Sequence, residues 1–490
     1  MSEEIRRLLG QRLSVGFDGF TVPDEYRALV RKYKIGNAIL FRRNVRDFEQ
    51  LKALCADLRA LISEETGLEP FIMIDEECGS VSRLAHIAAP TPCAMAIGAT
   101  DDPENAYRVG RLVGEELRAV GVNFNLAPDL DCFTNPDSSV IGNRSFAHEP
   151  EKAALFGARY ARGLRDAGVV ACGKHFPGHG DTAQDSHLDL PIVDKSAEAV
   201  RATELVPFQA AIRDGIDAIM SAHVVFPAFE PEQVPSTVSR RVMTGLLREE
   251  MGFKGLIVSD GMEMNAVMNL FGIEEATRRA LAAGVDVALV CHSAAQAAST
   301  MERLLAAYDE GTLDPAEVRA SYDRIAAKKA TLQAPTGDGG FFGSEAQRAL
   351  ARGIMEDAVT VLRAPEGAAL PTVDGETLFI GLPARAVTLA NDDVPLDAAA
   401  LCAEAFGGRR DAIDGQAAAK TVVAVFTRHP DRDALADRVR RLAEEGARVI
   451  AVSMNTPRCL SGLPDSVWQI GAWQYDALAV EALIRRLGGR

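Results

Sequence analysis

The sequence contains no C-x-x-C pair. Its cysteines, Cys55, Cys78, Cys93, Cys132, Cys172, Cys291, Cys402 and Cys459, are scattered singly along the chain. That spacing excludes a thiolate zinc site and a disulfide scaffold, and it fits buried free thiols in a reducing compartment. The sequence also lacks an uninterrupted apolar run of about 18 residues, so no membrane span is expected. It lacks a run of basic residues. Lys and Arg number 53 against 69 Asp and Glu, a formal charge of −16. Such a chain repels nucleic acid and anionic membranes, and no partner of either kind is expected. The arginines at 438, 440 and 441 share a helical stretch with acids and read as a solvated face. The first residues, MSEEIRR, have no apolar core of a secretory signal, so a cytoplasmic location is expected. What remains is ordinary for a globular protein: 47% hydrophobic and 25% charged residues over 490 positions, enough for two or three domains.

Short apolar runs alternate with amphipathic stretches through the first two thirds of the chain. The spacing predicts strands over 14–17, 38–41, 71–74, 122–126, 169–172, 218–220, 256–259 and 285–290. Most are continuously apolar, as parallel strands covered on both faces should be. Helices are predicted between them, for example over 48–62, 105–120, 151–167 and 197–214, with glycine at 121, 168, 215 and 284 as the stop signal. Eight such units argue for an α/β fold of the (β/α)8, TIM-barrel type. A doubly wound sheet would want a G-x-G-x-x-G turn after its first strand. The sequence offers VGFDGF there, without that spacing. After a helix near 315–332, the segment QAPTGDGG at 333–340 reads as a linker. The organisation is then a barrel over 1–335 and a smaller α/β sandwich domain over 345–490, with strands at 378–382, 422–426, 448–453 and 466–470.

In a barrel of this kind the site lies at the C-terminal strand ends. Those ends carry Asp75, Glu76 and Glu77, then Asp129 and Asp131, Lys174 and His175, His223, Asp260, and finally Cys291 and His292. Such a ring suits a hydroxyl-rich ligand, because carboxylates accept from hydroxyl pairs while Lys and Arg donate to oxygens. Asp260, on a strand end, can attack a carbon or stabilise a cationic transition state; the bland alternative is a helix N-cap.

The densest feature is the stretch 174–187, KHFPGHGDTAQDSH. Pro177, Gly178 and Gly180 mark it as a loop. Asp185 and His187, two apart in an extended loop, fall on one side, where the carboxylate fixes the imidazole tautomer and leaves the other nitrogen to carry a proton. An Asx-turn and an ordinary loop histidine are the alternatives. A metal site built from His175, His179, Asp185 and His187 is weighed too. Helical His spacing is absent and Lys174 would repel a cation, so no metal and no other cofactor are expected.

This stretch resembles the K-H-[FI]-P-G-H-G-x-T-x-x-D-S-H signature of glycoside hydrolase family 3 β-N-acetylglucosaminidases, the NagZ-like enzymes. ILFRRN at 39–44, APDLD at 127–131, IGNRSF at 141–146, MSAH at 220–223 and VSD at 258–260 are similar to the same family and occur in its order. The resemblance implies that Asp260 is the nucleophile of a retaining reaction through a covalent glycosyl-enzyme. It implies that His187, oriented by Asp185, is the general acid/base, and that Asp75, Arg83, Arg144, Lys174 and His175 bind the terminal N-acetylglucosamine. One segment departs from the pattern. DEECGSVSR at 75–83 stands where D-Q-E-G-G-R-V-x-R is usual, with Cys78 for a glycine and Ser80 for an arginine.

The activity so implied is an exo-β-N-acetylglucosaminidase acting on cell-wall fragments or chito-oligosaccharides, as in peptidoglycan recycling, by a monomer or homodimer. Its partner is a small glycan. A histidine in place of the usual second carboxyl group is uncharged after glycosylation and would not repel phosphate, so phosphorolysis is an alternative. Other family 3 β-glycosidases are another, and a non-catalytic sugar-binding protein is the alternative from a different class.

Overall fold

The computed structural model describes residues 2–136, 138, 140–182, 190–337, 339–383 and 396–489. Eight parallel strands close into a barrel in sequence order: β1 (Leu13–Val15), β2 (Asn37–Leu40), β3 (Phe71–Ile74), β4 (Phe124–Asn125), β5 (Val170–Phe176), β6 (Ala218–Ser221), β7 (Leu256–Gly261) and β8 (Val287–Val290). Closure is made by β1 against β8, with Leu13 opposite Ala288 and Val15 opposite Val290. All eight predicted strands are present, and the continuous apolar runs reflect burial on both faces. One face fills the barrel with Ile39, Phe71, Met73, Phe124, Val170, Val258 and their neighbours. The other face packs under the surrounding helices. Gly121 and Gly284 end two of those helices with φ of 95° and 115°, a conformation that costs glycine little.

The stretch beginning at Lys174 is not loop throughout. β5 runs through Lys174 and His175 and stops at Phe176, immediately before Pro177. Proline, with no N–H and a fixed φ, ends the strand; nothing before it does.

A second, six-stranded sheet follows the helix Glu345–Ala358. Its order is β11 (Arg409–Arg410), β10 (Leu378–Gly381), β12 (Thr421–Phe426), β13 (Arg448–Ser453), β14 (Trp468–Gly471) and β9 (Thr360–Arg363), with only β9 antiparallel. The apolar runs at β10, β12, β13 and β14 were legible. β9 and β11 were not: they are edge strands, β9 partly exposed along its whole length and β11 two arginines long. The sheets are joined by a shared apolar cluster in which Cys93, Met95 and Phe133 pack with Met355, Trp468 and Trp473. Asn143 adds a bond from Nδ2 to the Trp473 carbonyl at 2.8 Å. Among the described residues, no helix is long and apolar enough to cross a membrane.

Candidate active site

The C-terminal strand ends surround a cavity of about 670 Å3. Leu126, Met220, Leu289 and Cys291, the uppermost residues of the barrel interior, form its floor. Asp75, Arg83, Arg144, Lys174, His175 and Asp260 all line it. Asp185 and His187 lie outside the described residues.

One wall is a network of buried charges. Lys174 Nζ lies 2.7 Å from Asp75 Oδ1 and 2.6 Å from Glu77 Oε1. Glu77 also takes two bonds from Arg144, and Arg144 Nη1 donates to the Val140 carbonyl at 3.0 Å. Burial alone would push the Glu77 carboxyl up, but Arg144 and Lys174 outweigh it and hold Glu77 well below the ordinary range. Burial likewise works against the Lys174 ammonium, and Asp75 with Glu77 overcomes it. Arg83 Nη2 is 4.0 Å from Asp75 Oδ2, and the Arg83 backbone N–H donates to Glu76 Oε2 at 2.7 Å. Asp75 thus stands between two cations with its side chain 18% exposed to the cavity.

His175 connects this wall to the loop after β4. Its Nδ1 is 2.7 Å from Asp131 Oδ2, and its Nε2 is 3.4 Å from Arg144 Nη2. Arginine only donates, so Nε2 accepts there and Nδ1 carries the proton toward Asp131. Asp131 Oδ1 accepts from the His179 N–H at 2.6 Å. The two aspartates divide: burial and Asp131 raise the Asp129 carboxyl well above its usual value. Asp131, despite burial, is held low by His175 and His179.

Asp129, Asp131 and His175 bring ligand atoms close enough to surround a metal ion. Their chemistry opposes one. Asp131 is committed to His175 and His179, and Arg144 Nη2 stands 3.6 Å from Asp129 Oδ2, where it would repel a cation.

Asp260 projects from the end of β7, and its Oδ1 accepts from the Gly261 N–H at 2.7 Å. It caps no helix. The next helix, Asn265–Ala283, has Met264 at its N-cap position. His223, from the end of β6, donates from Nε2 to the Gly261 carbonyl at 2.9 Å, and its Nδ1 pairs with the Thr237 hydroxyl at 2.8 Å. The Gly261–Met262 peptide, one beyond Asp260, is therefore anchored to the neighbouring strand. His179 is a brace: fully buried, with Nδ1 2.6 Å from Thr182 Oγ1, and pushed down by burial to a pKa of about 4.

Several cavity groups had no role assigned from the sequence. Glu77 is the common counter-ion of Lys174 and Arg144. Glu263 lines the cavity, accepts from the His292 N–H at 3.0 Å, and has its pKa raised by burial. Phe41 has both Arg43 and His292 beside its ring, with the guanidinium 4.5 Å and the imidazole 5.4 Å from the ring centre. Glu77 stood on the strand-end ring without a role of its own, and the signal available for Glu263 was only its nearness in sequence to Asp260.

Comparison with known proteins gives a consistent answer. The family model for the glycosyl hydrolase family 3 N-terminal domain matches residues 4–327. A β-hexosaminidase of Neisseria meningitidis is 37% identical over 282 residues, 56% of this chain and 76% of that protein. Beta-hexosaminidase A of Pseudoalteromonas piscicida is 34% identical over 64% of this chain, and the match spans 56% of its own length. Among solved structures, a family 3 β-N-acetylglucosaminidase from a Paenibacillus species superposes with a TM-score of 0.90 at 33% identity, covering 99% of this chain and 96% of that one. NagZ from Neisseria gonorrhoeae in complex with N-trifluoroacetyl-D-glucosamine gives 0.58 at 32% identity, over 70% of this chain and 97% of that one. With a barrel closed in sequence order, a charged cavity at its strand ends and a family model spanning the barrel, the chain belongs to glycosyl hydrolase family 3.

Proposed function

We propose that the protein is a retaining exo-β-N-acetylglucosaminidase. In this reading Asp260 attacks the anomeric carbon while His187, oriented by Asp185, protonates the departing glycosidic oxygen. A glycosyl-enzyme forms, and the first product leaves. His187 then takes a proton from water, the water oxygen bonds to the anomeric carbon, and Asp260 is released. Asp75, Arg83, Arg144, Lys174 and His175 hold the terminal sugar. The substrates are cell-wall fragments or chito-oligosaccharides, and the location is cytoplasmic; eight unpaired, buried cysteines fit that location.

The observation that carries this reading is the shared cavity. The Asp260 carboxylate faces a space whose polar lining includes the Asp75–Lys174–Glu77–Arg144–His175 network. Buried ions already paired with each other present fixed acceptors and donors to sugar hydroxyls, at little reorganisation cost. Likeness to the β-hexosaminidases and to the Paenibacillus β-N-acetylglucosaminidase supports the choice of sugar.

The test uses chromogenic N-acetylglucosaminide and glucoside with wild type and Asp260→Ala. Wild type should cleave the N-acetylglucosaminide faster, and the substitution should lower kcat on the order of a thousand-fold or more. Equal rates in the two proteins would remove Asp260 from the chemistry. Faster glucoside cleavage would replace the substrate assignment, and a sugar 1-phosphate product on adding phosphate would replace hydrolysis with phosphorolysis.

A further inference from the structure

A second cavity, of about 320 Å3, lies where the second sheet meets the barrel. Its walls are the loops that leave the C-terminal ends of β12 and β13, the first turn of the helix Arg432–Glu444, and Pro136 and Ser138 of the barrel. Carboxyl ends of parallel strands are where open α/β sheets take ligands. Arg428, Arg432 and Arg458 line the space; Asp433, the one carboxylate among its described lining residues, pairs with Arg432 Nη1 at 2.6 Å, which leaves the arginines in excess there. That is a concentration of positive charge on a chain whose net charge is −16.

Two independent features say what the charge is for. The helix Arg432–Glu444 runs 13 residues and opens at Asp431; among the described residues no side chain caps its amides, and the Arg432 N–H donates to the His429 carbonyl at 3.1 Å. Its positive dipole end faces the cavity. Beside it, the His429 side chain is only 4% exposed. His429 Nδ1 accepts from the Asp431 N–H at 3.1 Å, which places the ring proton on Nε2. That Nε2 is buried and has no hydrogen-bond partner among the described residues. A buried donor left unsatisfied is costly, and native structures rarely keep one without a reason.

We propose that this cavity binds the phosphate group of a small phosphomonoester, a ligand about the size of a hexose phosphate. His429 Nε2 and the Asp433 and Ala434 amides donate to the phosphate oxygens, the arginines add positive charge, and the remaining volume takes the organic part. The site is joined to the barrel cavity through backbone. Arg428 Nη1 donates to the Ser138 carbonyl at 2.9 Å, and two residues on the Val140 carbonyl accepts from Arg144. The inference does not depend on the glycosidase reading.

The test is calorimetric titration of the full-length protein with inorganic phosphate and with glucose 6-phosphate, at ionic strength matched with chloride. Saturable binding of either is expected, and tighter binding of the sugar phosphate identifies the monoester as the ligand. His429→Asn keeps an acceptor for the Asp431 N–H and deletes only the Nε2 donor; Arg458→Gln removes one charge. Each should weaken binding about ten-fold, with the melting temperature of the His429→Asn protein no lower than that of wild type in the absence of phosphate. No saturable heat, or equal affinity in wild type and both variants, would overturn the proposal. So would displacement of phosphate by N-acetylglucosamine, because the anion would then sit in the barrel cavity.

Discussion

Arg144 grips Glu77 with two parallel bonds, Nε to Oε2 at 2.8 Å and Nη2 to Oε1 at 2.7 Å, and neither side chain is more than 7% exposed. A buried fork of this kind contributes orientation more than net stability, since desolvation offsets much of the attraction. Lysine in place of Arg144 keeps the charge and loses the fork. Arg144→Lys should therefore lower kcat/KM by about ten-fold or more, mainly through KM. Glu77→Gln should be worse, because it removes the counter-charge shared by two buried cations and leaves Lys174 with Asp75 alone. A loss of stability of about 3–5 kcal/mol is expected, read by urea denaturation. Wild-type kinetics in Arg144→Lys would show that the charge alone suffices.

His223 touches no cavity space but holds the Gly261 carbonyl, one peptide beyond Asp260. It is a positioning residue. His223→Ala should reduce kcat by about ten-fold or more while leaving KM nearly unchanged. Glutamine, whose amide nitrogen can occupy the Nε2 position, should recover part of the loss. Equal kcat values for the Ala and Gln variants would argue that His223 only fills space.

The barrel was legible because parallel strands buried on both faces leave continuous apolar runs, and 71–74 coincides with β3. Asp75 and Asp260 were legible because each directly ends such a run or nearly so. Glu77 was not. Its importance comes from Arg144, 67 residues further on, and no local pattern encodes a pairing at that distance. The loop assignment for Lys174 and His175 failed for a related reason. Pro177, Gly178 and Gly180 marked the stretch from 174 as loop, whereas Asp75, Glu77 and Asp131 supply the partners that let polar residues sit inside the strand up to Phe176.

Cys78 occupies a backbone conformation with φ of 122°, where residues bearing a Cβ are strained. The NagZ-like pattern has glycine at this position. Comparing Cys78→Gly with Cys78→Ala separates backbone from packing, since both lose the buried sulfur. The glycine variant should be the more stable of the two by roughly 1 kcal/mol, despite glycine's larger unfolded-state entropy. An alanine variant of equal or higher melting temperature would contradict the positive φ.

Glu116 links the barrel to the second domain's leading segment, its Oε1 accepting from the Ala89 and Gly343 N–H groups, each at 3.1 Å. Burial raises its pKa from 4.5 to about 7. Below pH 4.5 the group is protonated in both folded and unfolded chains. Between pH 4.5 and 7 the folded protein keeps a proton that the unfolded chain has released, so stability falls as pH rises. Above pH 7 the folded state carries a buried carboxylate, and the loss is complete. Glu116→Gln retains an acceptor oxygen for both N–H groups and never ionises. It should match wild type near pH 4.5 and exceed it at pH 8, by up to about 3 kcal/mol. Denaturant melts at the two pH values read the difference directly. A constant offset between the two proteins would mean that Glu116 does not titrate in this range, and a variant less stable at pH 8 would mean that the carboxylate is paired rather than stranded.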